Sequence, residues 1–376
     1  MKEQNIIVAH IMGKWLRTDG VESVVMNYYR NIDKSKVQFH FICDEDSTDI
    51  PYDEIEKLGG KVIVVPPYQK LFKYQKELYK IFKENNYKIV HSHISTLSMF
   101  PLRIAKKAGI PIRIAHSHST SNKKEWKRNL IKNILRPFSK VYANVFFGCS
   151  QLSGKWLFGN KAFLNGNIKI INNAIDLEKF EYNEEVRTKI REKLNVSEDT
   201  ILIGHIGRFV TQKNHEFLID VFNEIIKKTK QENFNSKLIL IGQGNLKENI
   251  IEKIKYLGLQ DYVIFTGQIN NVSDYYNAMD IFVLPSLYEG LPVVGIEAQA
   301  NGLLCEFSTD MTKETKVLNT TRFISLKETA KKWAEVILED YKNFKRIDSF
   351  EEMTKNNFNI KEEAKKIEEY YKRRYK

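Results

Sequence analysis

Short apolar runs recur along the whole chain, each followed by a turn and a helical pattern, and this alternation restricts the fold more than any other feature. In the first half the runs lie at 6–10, 39–43, 62–65, 89–93, 112–116, 145–149 and 168–171. In the second half they lie at 201–206, 238–241, 263–267 and 280–284. A strand covered on both faces reads as such a run, and intervening helices supply the crossovers of a parallel sheet. Val21, Val24, Val25, Tyr28 and Tyr29 share one side of one such helix. Phe217, Leu218, Val221, Phe222, Ile225 and Ile226 form the core face of another. A length of 376 residues suits two domains, each with its own core. No run approaches the roughly 20 apolar residues of a membrane span. Residues 1–5 lead into only a short apolar run, so a signal peptide is not expected. Cys43, Cys149 and Cys305 are far apart and form no C-x-x-C pair, which suits a reducing cytoplasm and no cysteine metal site.

The net charge of +12 is placed unevenly. Residues 1–175 carry 28 Lys and Arg against 14 Asp and Glu, and within 101–175 the only acid is Glu125. The rest of the chain is nearly balanced, with 31 basic and 33 acidic residues. So basic a block predicts an anionic partner: a membrane surface, a diphosphate-bearing substrate or nucleic acid. Within it, residues 122–140 place Trp126, Leu130, Ile131, Ile134, Leu135 and Phe138 at helical spacing among seven basic residues. Such a basic amphipathic helix either lies on an anionic bilayer or packs its apolar side on its own domain.

Chemistry-bearing residues collect where the apolar runs end. After 280–284 come Glu289 and Glu297, with Gly290, Leu291, Pro292 and Val293 between them. Pro292 suits the first position of a helix carrying Val293, Ile296, Ala298 and Ala300. The N–H groups at that helix start offer an anion site. After 201–206, Gly207 and Arg208 precede Gln212, Lys213 and Asn214. Arg208 can donate a forked pair of hydrogen bonds and Lys213 supplies a compact charge, a combination that suits a diphosphate. Gly242 and Gly244 allow a tight turn with close approach to a ligand. Gly20 closes the loop after the first run. His91-Ser92-His93 and His116-Ser117-His118 end two further runs, each pair on a common face. Ligands of open α/β sheets gather at such strand ends. Neither histidine pair has the helical or Cys-containing spacing usual for zinc, and Asp44-Glu45-Asp46 reads as a solvated turn.

Taken in order, these segments resemble the retaining glycosyltransferases of family 4. Glu289 and Glu297 match the family's E-x7-E element, and Gly207-Arg208 with Gln212-Lys213-Asn214 its donor-diphosphate element. Gly20 falls in its glycine-rich loop, where Asp19 replaces the usual first glycine. His118 corresponds to its strand-end histidine, and residues 172–176 to its domain crossover. Gln243 and Asn245 stand where the family often has Asp and Glu. The resemblance implies a GT-B fold: two doubly wound Rossmann-like domains facing a central cleft. It divides the chain into an acceptor-side domain at 1–175, a nucleotide-sugar domain at 176–345 and a segment at 346–376 returning to the first. Glu289, His118, Arg208 and Lys213 would be catalytic. Gly20, Gly207, Gly242, Gly244, Gly290, Leu291, Pro292, Val293 and Glu297 would bind the donor. The implied reaction moves a hexosyl or N-acetylhexosaminyl group, with retention, from a nucleotide-sugar. A UDP-sugar is the expected donor, with no metal and no further cofactor. The acceptor would be a glycan or a polyprenyl-diphosphate-linked saccharide in capsule or exopolysaccharide synthesis. Such a protein would be cytoplasmic, peripheral on the inner membrane face through 122–140, and would not bind nucleic acid. A GT-B nucleotide-sugar epimerase and a non-catalytic nucleotide-sugar-binding partner of a transferase remain as alternatives.

Overall fold

The computed structural model describes residues 5–15, 20–118 and 126–375, without the side chains of 126–132. The first sheet contains β1 (Ile6–Gly13), β2 (Val37–Asp44), β3 (Lys61–Val65), β4 (Ile89–Ser92), β5 (Ile112–Ser117), β6 (Val145–Gly148) and β7 (Ile168–Ile170). Its order is β3-β2-β1-β4-β5-β6-β7, and every pairing is parallel. The second contains β8 (Ile201–Ile206), β9 (Ser236–Ile241), β10 (Val263–Gly267), β11 (Ile281–Leu284), β12 (Leu304–Ser308) and β13 (Thr321–Ile324). Its order is β10-β9-β8-β11-β12-β13, again parallel throughout. In both, strand order reverses beside the first strand, between β1 and β4 and between β8 and β11. Loops leave a doubly wound sheet in opposite directions at that point and open a crevice at the strands' carboxyl ends.

Burial explains why these strands read as apolar runs. Every residue of β8 and β11 is buried. In the second unit Leu238, Leu240 and Val283 pack with Val221, Phe222, Ile225 and Trp333. Burying one such large side chain stabilises by about 1.5–3 kcal/mol. β12 and β13 have no counterpart among the apolar runs read from the sequence. Glu306 interrupts the apolar run of β12, yet it is fully buried. Burial and neighbouring Asp340 push its carboxyl up to about 9, so the group sits in the strand uncharged.

The chain forms two compact units, one running to Ile175 and resuming at Asn359, the other Asp176–Phe358. The boundary expected at 346 therefore moves to 359. Arg346 donates to the Met279 carbonyl and to Asn301 Oδ1, and Ser349 Oγ donates to the Ala300 carbonyl at 2.7 Å, tying this stretch to the second unit. From there Ile360 N bonds to the Ile175 carbonyl at 3.0 Å. The Ile360–Tyr375 helix packs on the Gly20–Asn31 helix. After the crossover the chain forms two helical pieces, Leu177–Phe180 and Glu184–Lys193. Asn183 caps the second piece, its side chain accepting from Val186 N at 3.0 Å.

The expected helix at 122–140 is observed as Trp126–Tyr142, and residues 122–125 lie outside the described part. Where its side chains are described, Ile134, Phe138 and Val141 are 58%, 44% and 56% exposed, whereas Leu135 is half-buried and Ser139 buried. Among the described residues no helix is long and apolar enough to cross a membrane.

Candidate active site at two sheet edges

In the second unit the β8/β11 switch point brings Lys213 and Glu289 together. Lys213 lies in a short 3-10 turn after β8, and Glu289 in the loop after β11. The loops are joined by Leu287 N to the Gln212 carbonyl, 2.9 Å, and by Asn214 Nδ2 to the Pro285 carbonyl, 3.1 Å. Asn214 adopts φ +56°, a left-handed conformation that asparagine tolerates, and so turns the chain into the His215–Gln231 helix. Lys213 Nζ donates to Glu289 Oε1 at 2.7 Å. Gln212 Nε2 donates to Glu289 Oε2 at 3.1 Å and to the Tyr288 carbonyl at 3.0 Å. The two side chains are only 16% and 10% exposed, so each charge depends on the other for compensation. A sequence reading that assigns the lysine to phosphate and the glutamate to sugar separately does not reveal this pairing.

The glycines make the arrangement possible. A Cβ on Gly207 would stand 3.1 Å from Lys213 Cδ and Cε, so its absence leaves a channel for the lysine stem. A Cβ on Gly242 would fall 2.1 Å from the Gly207 carbonyl oxygen, and one on Gly244 2.5 Å from that of Phe209. The close approach expected of Gly242 and Gly244 is thus made to the Arg208 loop itself. Phe209 N to the Gln243 carbonyl, 2.9 Å, and Gly207 N to the Ile241 carbonyl, 3.0 Å, lock the loops together. Arg208, in the same loop, is half-buried.

Glu297 sits just over one turn into the Val293–Ala300 helix. Pro292 is the residue before that helix, extended at φ −70°, ψ 117°, and not its first helical residue as expected. Gly290, Leu291 and Pro292 are buried and Val293 half-buried. The Tyr276 hydroxyl lies 3.0 Å from the Val294 carbonyl and 3.0 Å from Glu297 Oε2. Burial lifts the Glu297 carboxyl to about 7, against the opposing pull of Tyr276 and Lys179. A phenol has a single proton, so the protonated carboxyl can donate to Tyr276 while Tyr276 donates to Val294.

In the first unit the strand-end histidines assemble into a larger group than expected. His91, His93, His116 and His118 are buried together with His10 of β1, which sequence reasoning left out. Its only signal was a strand-end position like theirs. His10 Nδ1 is 2.9 Å from His93 Nε2, and His93 Nδ1 is 2.9 Å from His118 Nε2. His91 Nε2 is 3.1 Å from His116 Nδ1, and its Nδ1 is 2.7 Å from the Tyr371 hydroxyl. Burial pushes His10 and His118 down to about 3, and the other three well below the ordinary histidine value. Ring nitrogens of His10, His91 and His93, and of His93, His116 and His118, come within 4.8 Å of one another, the donor type a transition metal takes. Asp44 is buried, while Glu45 and Asp46 pair with Lys70 and Lys14. Gly20 opens its helix in an exposed position, and Asp19 lies outside the described residues.

A cavity of about 530 Å³ opens at the opposite, amino edge of the second sheet, beside Ile201, Asp280, Arg187 and Arg346. It is remote from Lys213 and Glu289, which stand at the carboxyl edge.

Comparison with known proteins agrees with this architecture. Residues 186–367 match the family described as Glycosyl transferases group 1, and residues 18–179 match Glycosyltransferase Family 4. EpsF of Bacillus subtilis (strain 168), named as a glycosyltransferase, is 34% identical over 88% of this chain and 86% of its own. The Escherichia coli UDP-Gal:alpha-D-GlcNAc-diphosphoundecaprenol alpha-1,3-galactosyltransferase is 26% identical over 80% of this chain and 78% of its own. Among solved structures, Anabaena Alr3699/HepE in complex with UDP and glucose superposes with a TM-score of 0.73 at 16% identity, covering 97% of this chain and 95% of that one. At that identity the match speaks for the fold. With two parallel α/β units in the GT-B pattern and a relative of this similarity along most of its length, the chain belongs to the family 4 glycosyltransferases.

Proposed function

We propose that this protein transfers a hexosyl or N-acetylhexosaminyl group from a UDP-sugar, with retention, to a polyprenyl-diphosphate-linked glycan in cell-surface polysaccharide synthesis. The observation that carries the reading is the Lys213–Glu289 pair at the β8/β11 switch point, beside the Val293–Ala300 helix start. As the bond to the anomeric carbon breaks, negative charge collects on the leaving diphosphate. Arg208, Lys213 and the N–H groups opening the helix stabilise it there, which removes the requirement for a metal ion. Glu289 holds Lys213 in place and presents its second oxygen to donor-sugar hydroxyls. Glu297, with Tyr276 against its carboxyl, binds the ribose diol; His118 faces the donor sugar, and the family resemblance implies both the glutamate and the histidine role. No side chain acts as a covalent nucleophile; the leaving phosphate takes the acceptor proton on the same face.

UDP in the Anabaena structure supports the choice of donor, and the Escherichia coli relative's acceptor supports a lipid diphosphate. Exposed Ile134, Phe138 and Val141 on a basic helix support a peripheral position on an anionic leaflet. A panel of nucleotide-sugars incubated with a synthetic prenyl-diphosphate saccharide tests the whole reading. The expected result is UDP release coupled to a product of unchanged anomeric configuration. A chemically altered sugar without transfer would replace the reading by epimerisation, and binding without release by a non-catalytic role.

A further inference from the structure

The histidine chain of the first unit contains a constraint that distance alone does not show. His10, His93 and His118 are 1%, 5% and 9% exposed, and burial keeps all three neutral. A neutral imidazole carries one N–H and one bare nitrogen. Three rings therefore bring three protons. The two internal contacts, both 2.9 Å, each consume one as an N–H···N bond. The third must sit at one end, on His10 Nε2 or on His118 Nδ1. Neither of these atoms has a hydrogen-bond partner among the described residues. Only two proton arrangements keep both bonds, and they run in opposite directions.

The two ends differ in what surrounds them. His10 lies inside the sheet with the Phe39 ring centroid 3.9 Å from its own and the Tyr371 ring edge-on at 6.5 Å. An N–H enclosed there would have nothing to donate to, and an orphaned buried N–H is the costlier defect than an unused acceptor. His118 follows the last residue of β5, at the carboxyl edge where a bound ligand can supply an acceptor. The favoured arrangement is therefore His10 Nδ1–H to His93 Nε2, His93 Nδ1–H to His118 Nε2, and a free N–H on His118 Nδ1.

We propose that His93, backed by His10, is a positioning residue that fixes the His118 tautomer, so that His118 Nδ1 donates a hydrogen bond to a ligand oxygen such as a sugar hydroxyl or phosphate. The ligand part rests on the glycosyltransferase reading above; the tautomer part does not. The rings aim their nitrogens at one another along hydrogen bonds, and this geometry favours proton order over a shared metal ion.

Full-length protein labelled with 15N at histidine, free of ligand, decides the first part by long-range 1H–15N correlation. The expected spectrum shows His118 protonated at Nδ1 and His10 bare at Nε2. The reverse order, or a stoichiometric metal ion retained after purification and bound to these nitrogens, would overturn the proposal. Two variants test the link to function. His93→Phe keeps a ring in the stack but removes both bonds, so the His118 proton is no longer held at Nδ1 and turnover should fall on the order of tenfold. His93→Asn can still donate to His118 Nε2 and should restore the tautomer and most of the rate. Turnover of His93→Phe equal to wild type would overturn the positioning role. Wild-type protein inactive with every donor would refute the enzymatic reading while leaving the spectrum to judge the tautomer. Should His93→Phe fail to fold, the wild-type spectrum, with His118 resonances followed on adding UDP-glucose, still decides between the two arrangements.

Discussion

At the β8/β11 switch point the side chains are charged and paired; at the β1/β4 switch point they are neutral rings bonded to one another. Both units use the same doubly wound parallel sheet and place their functional groups at its carboxyl edge. Their electrostatics nevertheless differ, because the second edge holds Lys213 against Glu289 while the first excludes charge through burial of five histidines. The shared topology supplies the crevice, and the residues that end the strands decide whether it presents ions or neutral donors.

The largest effect that could break this contrast is loss of the ion pair. Lys213→Ala should lower UDP release about 10²- to 10³-fold. It should also cost about 3–5 kcal/mol of stability, because Glu289 is left as a buried unpaired charge. The double variant Lys213→Met/Glu289→Leu should recover most of the stability in urea titrations and none of the activity. Full activity in either variant would reduce the pair to a structural contact. Next in size, Gly242→Ala pushes a methyl against the Gly207 carbonyl oxygen and should destabilise the second unit by about 1–3 kcal/mol, read as a lower urea midpoint. An unchanged midpoint would show that the loops of that edge are not held by close backbone packing.

Acidity should act with opposite sign on Glu297 and on the buried His10 and His118, while the second unit's own buried His205 and His215 follow the latter pair. His10 and His118 are held at about 3 against an ordinary 6.5, so in that window the unfolded chain binds more protons. The first unit therefore loses stability as pH falls from 6.5 toward about 3. Glu297 is lifted from 4.5 to about 7, so there the folded chain binds more protons, and its contribution weakens as pH rises through that interval. Each group contributes at most about 1.4 kcal/mol per pH unit. Peptide-resolved hydrogen exchange, corrected for intrinsic rates, should show the first unit better protected at pH 7 than at pH 5, and Glu297→Gln should shift the pH trend of the second unit alone in that same direction. A second unit whose pH trend is unchanged by Glu297→Gln would remove the role assigned to that carboxyl. The smallest effect concerns the surface helix. Ile134→Ser/Phe138→Ser should weaken flotation with anionic liposomes while changing stability by no more than about 0.5 kcal/mol per site. Tyr256→Ser, at an 88% exposed position of the second unit, should change neither. Equal flotation of all three proteins would count against a membrane role for the helix.

Legibility in the sequence followed chain locality. Apolar runs and 3.6-residue periodicity gave eleven strands and the long helices because both patterns record burial within a few residues of one another. Motifs placed Glu289, Lys213 and His118 at strand ends for the same reason. β12 was missed because Glu306 looks charged from its identity and is neutral only in its buried setting. His10 was missed because its cluster partners lie 81 or more positions away in the sequence.

The sequence alone determined the parallel α/β class, the basic character of the first half, and a pair of glutamates framing a helix start. Tertiary structure decided that one of those glutamates neutralises Lys213, 76 positions away, and that the tail from Asn359 belongs with the first unit. It also decided that five scattered histidines gather in one buried group. Strand propensity and turn chemistry act between near neighbours, but contact between distant residues depends on strand order. That order is selected only when the whole sheet buries its apolar faces.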